Sequence, residues 1–206
     1  MKTRERILEQ SLALFNSEGL PKVSTNRIAA ELEISPGNLY YHYKSKERIV
    51  ECLVRRLEQR MAPLVDPTVA VAALDDWWLT LHLGLEVIAA HRFLYRDVDF
   101  LLHEYPRCGA RVQHQAILSV RATMRQCQQL LAAGVLRASP GEIAELARQV
   151  VFMATCWTTF ARLMHIGDAS VEGPEHAAYH LLALMSPYVD GASRQYLDYL
   201  RSKYVR

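Results

Sequence analysis

Apolar residues in this chain recur every third or fourth position almost from end to end, and glycine and proline fall between those stretches. That period lines one face of an α-helix. A half-buried strand needs strict alternation, and no stretch alternates for long. The spacing therefore predicts an all-α fold of about nine to ten helices. Ile7, Leu8, Leu12 and Phe15 predict a helix over 3–18, stopped by Gly19. A second helix starts after Ser24, a good N-cap, and carries Ile28, Ala29 and Leu32 inward. A short break follows at Leu32-Glu33-Ile34. A third helix takes Ser35 as cap and Pro36 at its first position, where a missing N–H costs nothing, and ends near Tyr43. Ser45 and Glu47 open a fourth, over about 45–62, with Ile49, Leu53, Leu57 and Met61 buried.

Pro63 and Asp66-Pro67 mark a boundary. Beyond it, helices are expected over about 67–90, 92–104 (closed by Pro106), 107–133 (ended by Gly134) and 140–164 (capped by Ser139). Gly167 to Pro174 reads as a loop. A helix then runs to about Val189, and Asp190-Gly191 separates it from a last one ending near Tyr204.

Composition narrows the class. Of 206 residues, 50% are apolar and 22% charged, which suits a packed soluble chain and argues against disorder. No apolar run approaches the roughly 18 residues that cross a bilayer, so no membrane partner is expected. No apolar signal core follows Met1-Lys2-Thr3-Arg4-Glu5-Arg6, so secretion by that route is not expected. Cys52, Cys108, Cys127 and Cys156 are scattered without a CxxC pair, which fits reduced thiols in a cytoplasmic protein. Residues 1–61 hold 11 Lys+Arg against 8 Asp+Glu, whereas 62–206 hold 13 against 14. The positive excess at the N-terminal end favours a nucleic-acid contact there.

Residues 24–43 form two short helices joined by about three residues, the shape of a DNA-reading helix-turn-helix. The second opens with Ser35, Pro36, Gly37 and Asn38, whose short side chains let its free N–H groups approach a phosphate or base edge. Leu39 and Tyr43, four apart, can face inward. Tyr40, Tyr41 and His42 then project outward beside Lys44 and Lys46, a set suited to sugar-phosphate and thymine methyl groups. On helix pattern alone, a plain structural hairpin is equally good.

The string Ile34-Ser35-Pro36-Gly37-Asn38-Leu39-Tyr40-Tyr41-His42-Tyr43-Lys44-Ser45-Lys46-Glu47, with Thr3-Arg4-Glu5-Arg6-Ile7-Leu8, Leu12-Ala13-Leu14-Phe15, Gly19 and Ile28-Ala29, resembles the DNA-binding domain of the TetR family. The resemblance covers about 45 N-terminal residues. It implies a three-helix DNA-binding domain over 1–47, a connecting helix, and a helical effector-binding and dimerisation domain over 62–206. It implies DNA contacts by Thr25, Asn26 and Arg27 at the start of the second helix. The matching recognition positions are Pro36, Gly37, Asn38, Tyr40, Tyr41 and His42, with Lys46 as a phosphate clamp and Lys44 nearby. Glu33 stands where many relatives have glycine, so a left-handed non-glycine residue is expected in the turn, at a cost of about 1 kcal/mol.

The C-terminal region carries two adjacent apolar seams on one helix. Ala147, Val151, Ala154, Thr158 and Ala161 are small or medium; Leu146, Val150, Met153, Trp157, Phe160 and Met164 are mostly large. The small seam is expected to pack against a second copy, with Ala178, Leu181, Leu182 and Met185 completing a four-helix bundle; a single protomer's core is the alternative. Such a homodimer reads a palindrome with half-sites about 34–36 Å apart. Candidate effector-pocket residues are Trp77, Trp78, His82, Tyr95, Phe100, His103, Met124, Met153 and Trp157, with Arg121 as a counter-charge to an anion. Each alone suits a plain core better, and Arg121 alone suits an exposed arginine better. His176 and His180 are four apart, but no third metal ligand is placed beside them. No nucleophile–base pair, glycine-rich phosphate loop or paired carboxylates stand out, so neither catalysis nor a cofactor is expected.

The resulting expectation is a ligand-responsive repressor that binds double-stranded operator DNA as a homodimer and leaves it when a small, largely apolar effector binds. Two alternatives remain: a DNA-binding regulator without such an effector, and a helical ligand-binding or enzymatic protein that has lost DNA binding.

Overall fold

Local capping sets most helix boundaries. The computed structural model describes residues 3–164, 173–189 and 191–204. Among them lie α1 (Thr3–Glu18), α2 (Thr25–Glu31), α3 (Pro36–His42), α4 (Lys46–Val65), α5 (Leu74–Ala90), α6 (Phe93–Arg96), α7 (Val98–Glu104), α8 (Pro106–Ala132), α9 (Pro140–Leu163), α10 (Pro174–Met185) and α11 (Gly191–Ser202). No strand occurs among the described residues. The Ser24 hydroxyl accepts from the Arg27 N–H at 3.1 Å, and Ser35 from Asn38 at 3.2 Å. Ser139 and Glu142 form a reciprocal capping box. Glu33 takes φ 54°. Its N–H donates to Ala30 and that of Ile34 to Ala29, the paired C-terminal bonds usually built on glycine.

Where boundaries depart from expectation, a polar side chain or proline explains it. The helix expected from 67 begins at Leu74, because Asp76 accepts from the Ala72 and Ala73 N–H groups, each at 3.1 Å. Asp66 holds the Thr68 N–H at 2.8 Å in a turn. Pro63 does not end α4, since it removes one N–H, and the Val65 carbonyl accepts from Arg125 at 2.8 Å. The helix expected over 92–104 is split at Asp97. Pro106, expected to close it, opens α8. Helix α10 stops at Met185 and passes into a 3-10 turn over Ser186–Tyr188, where Pro187 cannot donate. Residues 167–172 of the expected Gly167–Pro174 loop, and Asp190, lie outside the described residues.

The chain forms two compact units, and these do not follow the expected 1–47 and 62–206 division. The first joins the residues up to Gln59 with Ala90–His114. Its wholly buried side chains include Ile7, Phe15, Leu20, Val23, Ile28, Ile49, Leu53, Phe93 and Leu101. Polar contacts tie its two stretches of sequence. Arg96 donates to the Phe15 and Asn16 carbonyls, at 2.6 and 2.8 Å, at the end of α1, where Phe15 also accepts from the Gly19 N–H at 3.2 Å. Asp97 accepts from the Leu20 N–H at 2.7 Å. Asn16 donates to the Ala90 carbonyl at 2.9 Å and accepts from the Phe93 N–H at 3.1 Å. Gly109 permits α8 to pass close to α7: a Cβ there would lie 2.9 Å from the Leu102 Cα.

The second unit comprises Arg60–Ala89 and the residues from Gln115 onward. Its core gathers Trp77, Leu85, Cys127, Leu130, Leu146, Val150, Trp157, Ala178, Leu181, Leu182, Met185 and Leu197.

Asp97→Ala leaves the buried Leu20 N–H without its acceptor and is expected to cost about 1–3 kcal/mol in urea unfolding. A loss near zero would mean the bond is dispensable. In the second unit the His180 ring lies 4.7 Å from Trp157. Desolvation first, then the positive fields of His176 and Arg201, hold its pKa below the ordinary 6.5. The folded state then binds fewer protons than the unfolded one, so stability is expected to fall as pH drops through the ordinary histidine range. His180→Gln is expected to flatten that decline in melting temperature; an unaltered profile would refute the assignment.

Candidate nucleic-acid interface

The recognition segment divides its aromatics as their spacing predicts. Leu39 and Tyr43 are 2% and 3% exposed, whereas Tyr40 and Tyr41 are 58% and 76% exposed. Tyr43 is tied to α1: its hydroxyl donates to the Arg4 carbonyl at 3.3 Å, and the Arg4 guanidinium lies 5.4 Å from its ring. Burial pushes its phenol up from the ordinary value. This anchorage fixes the end of α3 and turns its other face to solvent. Ser35, Pro36, Gly37 and Asn38 are all exposed, so the short side chains at the helix start leave its N-terminus open.

Tyr40 and Tyr41 point to different surroundings. The Lys44 ammonium stands 4.6 Å over the Tyr40 ring, and both line a groove of about 610 Å³ with Ser24, Thr25, Asn26, Pro36, Gly37, Ser45 and Lys46. The starts of α2 and α3 are thus brought to one concavity. Tyr41 is not part of that wall and makes an edge contact with His42 at 5.2 Å. Ser24 and Ser45, expected at helix starts but not as contacts, also line the groove.

Two of the expected DNA contacts are engaged within the protein. Arg27 pairs with Glu18 at 2.9 Å and with Glu31 one turn along α2. Lys46 donates to the Leu20 and Val23 carbonyls, both at 3.0 Å, and its ammonium lies 5.5 Å from the Phe100 ring. Desolvation lowers its pKa from the usual lysine value.

The expected effector residues do not fall in one compact unit. Tyr95, Phe100 and His103 belong to the first. There burial pushes the Tyr95 phenol up, Phe100 meets Tyr105 edge-on at 5.7 Å, and the His103 side chain is 87% exposed. Their separation reflects α6 and α7 packing with α1. In the second unit Trp77 is fully buried, Trp78 packs on His82 and Tyr204, and Met124 and Met153 lie against the core. Arg121 is exposed. Trp157 lines a cavity of about 10 Å³ with Leu85, Ile88, Ala154, Thr158 and Ala177. His176 and His180 belong to no group of three metal-binding side chains among the described residues.

Most residues of the expected small-residue dimer seam are packed inside one protomer. Ala147, Ala154, Ala161, Ala178, Leu181, Leu182 and Met185 are between 0% and 9% exposed within one protomer. They have almost no surface left for a partner; Val151 and Thr158 are half-buried. The apolar residues that face solvent on α9 are Phe152, Phe160, Leu163 and Met164, with exposed Cys156 between the phenylalanines.

Residues 7–53 match the family model described as bacterial regulatory proteins of the tetR family, and residues 56–197 match that described as TetR, a bacterial transcriptional repressor. A TetR-family transcriptional regulator from Marinobacter aquaeolei VT8 is 31% identical, superimposes with a TM-score of 0.87, and covers all of both chains. A gamma-butyrolactone receptor shares the fold at a TM-score of 0.71 and 14% identity, over 98% of this chain and 96% of that one. The nucleoid occlusion factor SlmA of Haemophilus ducreyi is 34% identical over 64 residues, which span 31% of this chain and only 32% of that protein. No described helix is long and apolar enough to cross a membrane. With family models spanning both the reading helices and most of the region after them, and a full-length structural match, the chain belongs to the TetR family of bacterial transcriptional regulators.

Proposed function

We propose that this regulator is a repressor, that it grips a palindromic operator as a homodimer with one α3 per half-site, and that a small, largely apolar effector in the second unit releases it. The observation that carries the DNA reading is the outward face of α3: two strongly exposed tyrosines and a bare helix start, on a segment whose inner residues are anchored to α1. Thr25, Asn26, Ser35, Pro36, Gly37, Asn38, Tyr40, Tyr41, His42 and Lys44 form the contact set. A factor that acts on a bacterial chromosome works in the cytoplasm.

The homodimer rests on the outer face of α9. Phe152, Phe160, Leu163 and Met164 are 69%, 49%, 74% and 57% exposed on one helix. Large apolar residues grouped in this way mark an association surface rather than ordinary scatter. A two-fold axis lets the same face serve both subunits. For the effector, the ligand class named for the gamma-butyrolactone receptor is of the expected kind, and Trp78, Met124, Met153 and Trp157 are the apolar walls available in the second unit. A second reading, regulation without a small effector, is favoured by the 10 Å³ cavity at Trp157, about the room of one water.

Genomic fragments retained by the purified protein identify the operator, and small apolar compounds are then screened for its release. Tyr41→Ala is expected to cost about 1–3 kcal/mol at that operator and less on random DNA, as measured by fluorescence anisotropy. An equal loss on both demotes Tyr41 to a backbone contact. Phe160→Asp is expected to convert a dimer into a 23.5 kDa species in sedimentation velocity. Wild-type protein that already sediments as that species removes the dimer.

A further inference from the structure

The turn between α1 and α2 is held by side chains from elsewhere in the first unit. Asp97 accepts from the N–H of Leu20, and Lys46 donates to the carbonyl of the same residue. Lys46 also donates to the carbonyl of Val23, the residue immediately before the α2 cap Ser24. The side chains of Leu20 and Val23 are wholly buried, so the turn cannot move without disturbing the core. An ammonium has three N–H donors. Two are committed to these carbonyls at 3.0 Å each, and the ammonium lies 5.5 Å from the Phe100 ring. A group so placed has at most one donor left for a phosphate. It does have a direct hold on where α2 begins.

We propose that Lys46 is a positioning residue for DNA binding: its ammonium fixes the Leu20–Val23 turn and thereby sets Thr25 and Asn26 against the recognition helix, instead of anchoring a phosphate itself. The proposal rests on the DNA-binding reading and adds to it a division of labour among the basic residues of the motif. Lys44, exposed over Tyr40 in the groove, stays available to the nucleic acid. Lys46 shapes the surface on which that contact occurs. One feature makes the role specific to an ammonium: the two carbonyls converge on one nitrogen. The planar, forked guanidinium of arginine keeps the charge but does not fit that cradle.

Wild type, Lys46→Met and Lys46→Arg are compared on the selected operator and on random duplex over a range of salt, at temperatures where circular dichroism shows each variant folded. The methionine variant is expected to lose about tenfold or more in operator affinity, the scale of a charged hydrogen bond, with random-DNA binding nearly unchanged. Its salt slope is expected to match wild type, whereas loss of a phosphate contact lowers the slope by about one unit. Arginine is expected to resemble methionine; restoration by arginine, or the lowered slope, overturns the proposal. So does a lower melting point with the ratio of operator to random affinity unchanged, which is a stability role alone. Reductive methylation of the wild-type protein gives an answer even where a variant does not fold. Lys46 is expected to react slowly both free and bound to DNA, whereas a phosphate anchor reacts when free and is protected by DNA. Wild type that ignores every duplex at low salt defeats the DNA reading itself, a result distinct from any of these.

Discussion

The end of α1 is a chemical problem that this structure solves with side chains from a distant stretch of sequence. The chain leaves the helix at φ 102° through Gly19, whose N–H makes a last bond to the Phe15 carbonyl and leaves the carbonyls beyond it without a further turn. Arg96 takes the Phe15 and Asn16 carbonyls with two nitrogens, and Asp97 takes the Leu20 N–H. The pair also bond each other at 2.9 Å and are only 15% and 12% exposed, so each charge is balanced while it holds backbone. The same pair explains why α6 and α7 are separate helices: Asp97 adopts φ −103° and ψ 30° to reach the turn. The placement of α2, and through it the groove beside α3, depends on this lock.

What could be read from the sequence divides along the range of the interactions. Ser24, Ser35 and Ser139 cap helices through bonds to residues three positions away, and the start of each helix was legible to the residue. The left-handed Glu33 was legible through the family resemblance, since many relatives have glycine in that turn. The lock on α1 was not. Arg96 and Asn16 are 80 residues apart, and nothing in the pattern around Arg96 distinguishes it from a solvated arginine. The late start of α5 sits between these cases, since Asp76 reaches back only three and four residues to Ala73 and Ala72. An aspartate in a helical first turn is common enough that its signal is lost among others.

The recognition surface was legible for a different reason. Leu39 and Tyr43 had to share a face by their four-residue spacing, which left Tyr40 and Tyr41 no choice but solvent. Spacing could not say what the cations did. Lys44 and Lys46 are two residues apart and alike on paper, yet one lies over an exposed ring and the other is folded onto backbone. The difference comes from the three-dimensional position of the α1–α2 turn, which the sequence around position 46 does not encode.

Helix α9 shows the same limit for apolar residues. Its period correctly marks more than one apolar face, but period alone does not say which face the protomer keeps. The protomer keeps Ala147, Ala154 and Ala161, at intervals of seven and 0%, 9% and 1% exposed, together with Ile143, Leu146, Val150 and Trp157. Alanine lets neighbouring elements approach closely and close-pack. The phenylalanines at 152 and 160 lie outside with Leu163 and Met164, although the larger Trp157 on the same helix is buried. The helix thus divides its large apolar residues between the protomer's core and an outer face that stays in water. At roughly 25 cal/mol per Å² of apolar area, covering that outer face is favourable for any surface that fits it.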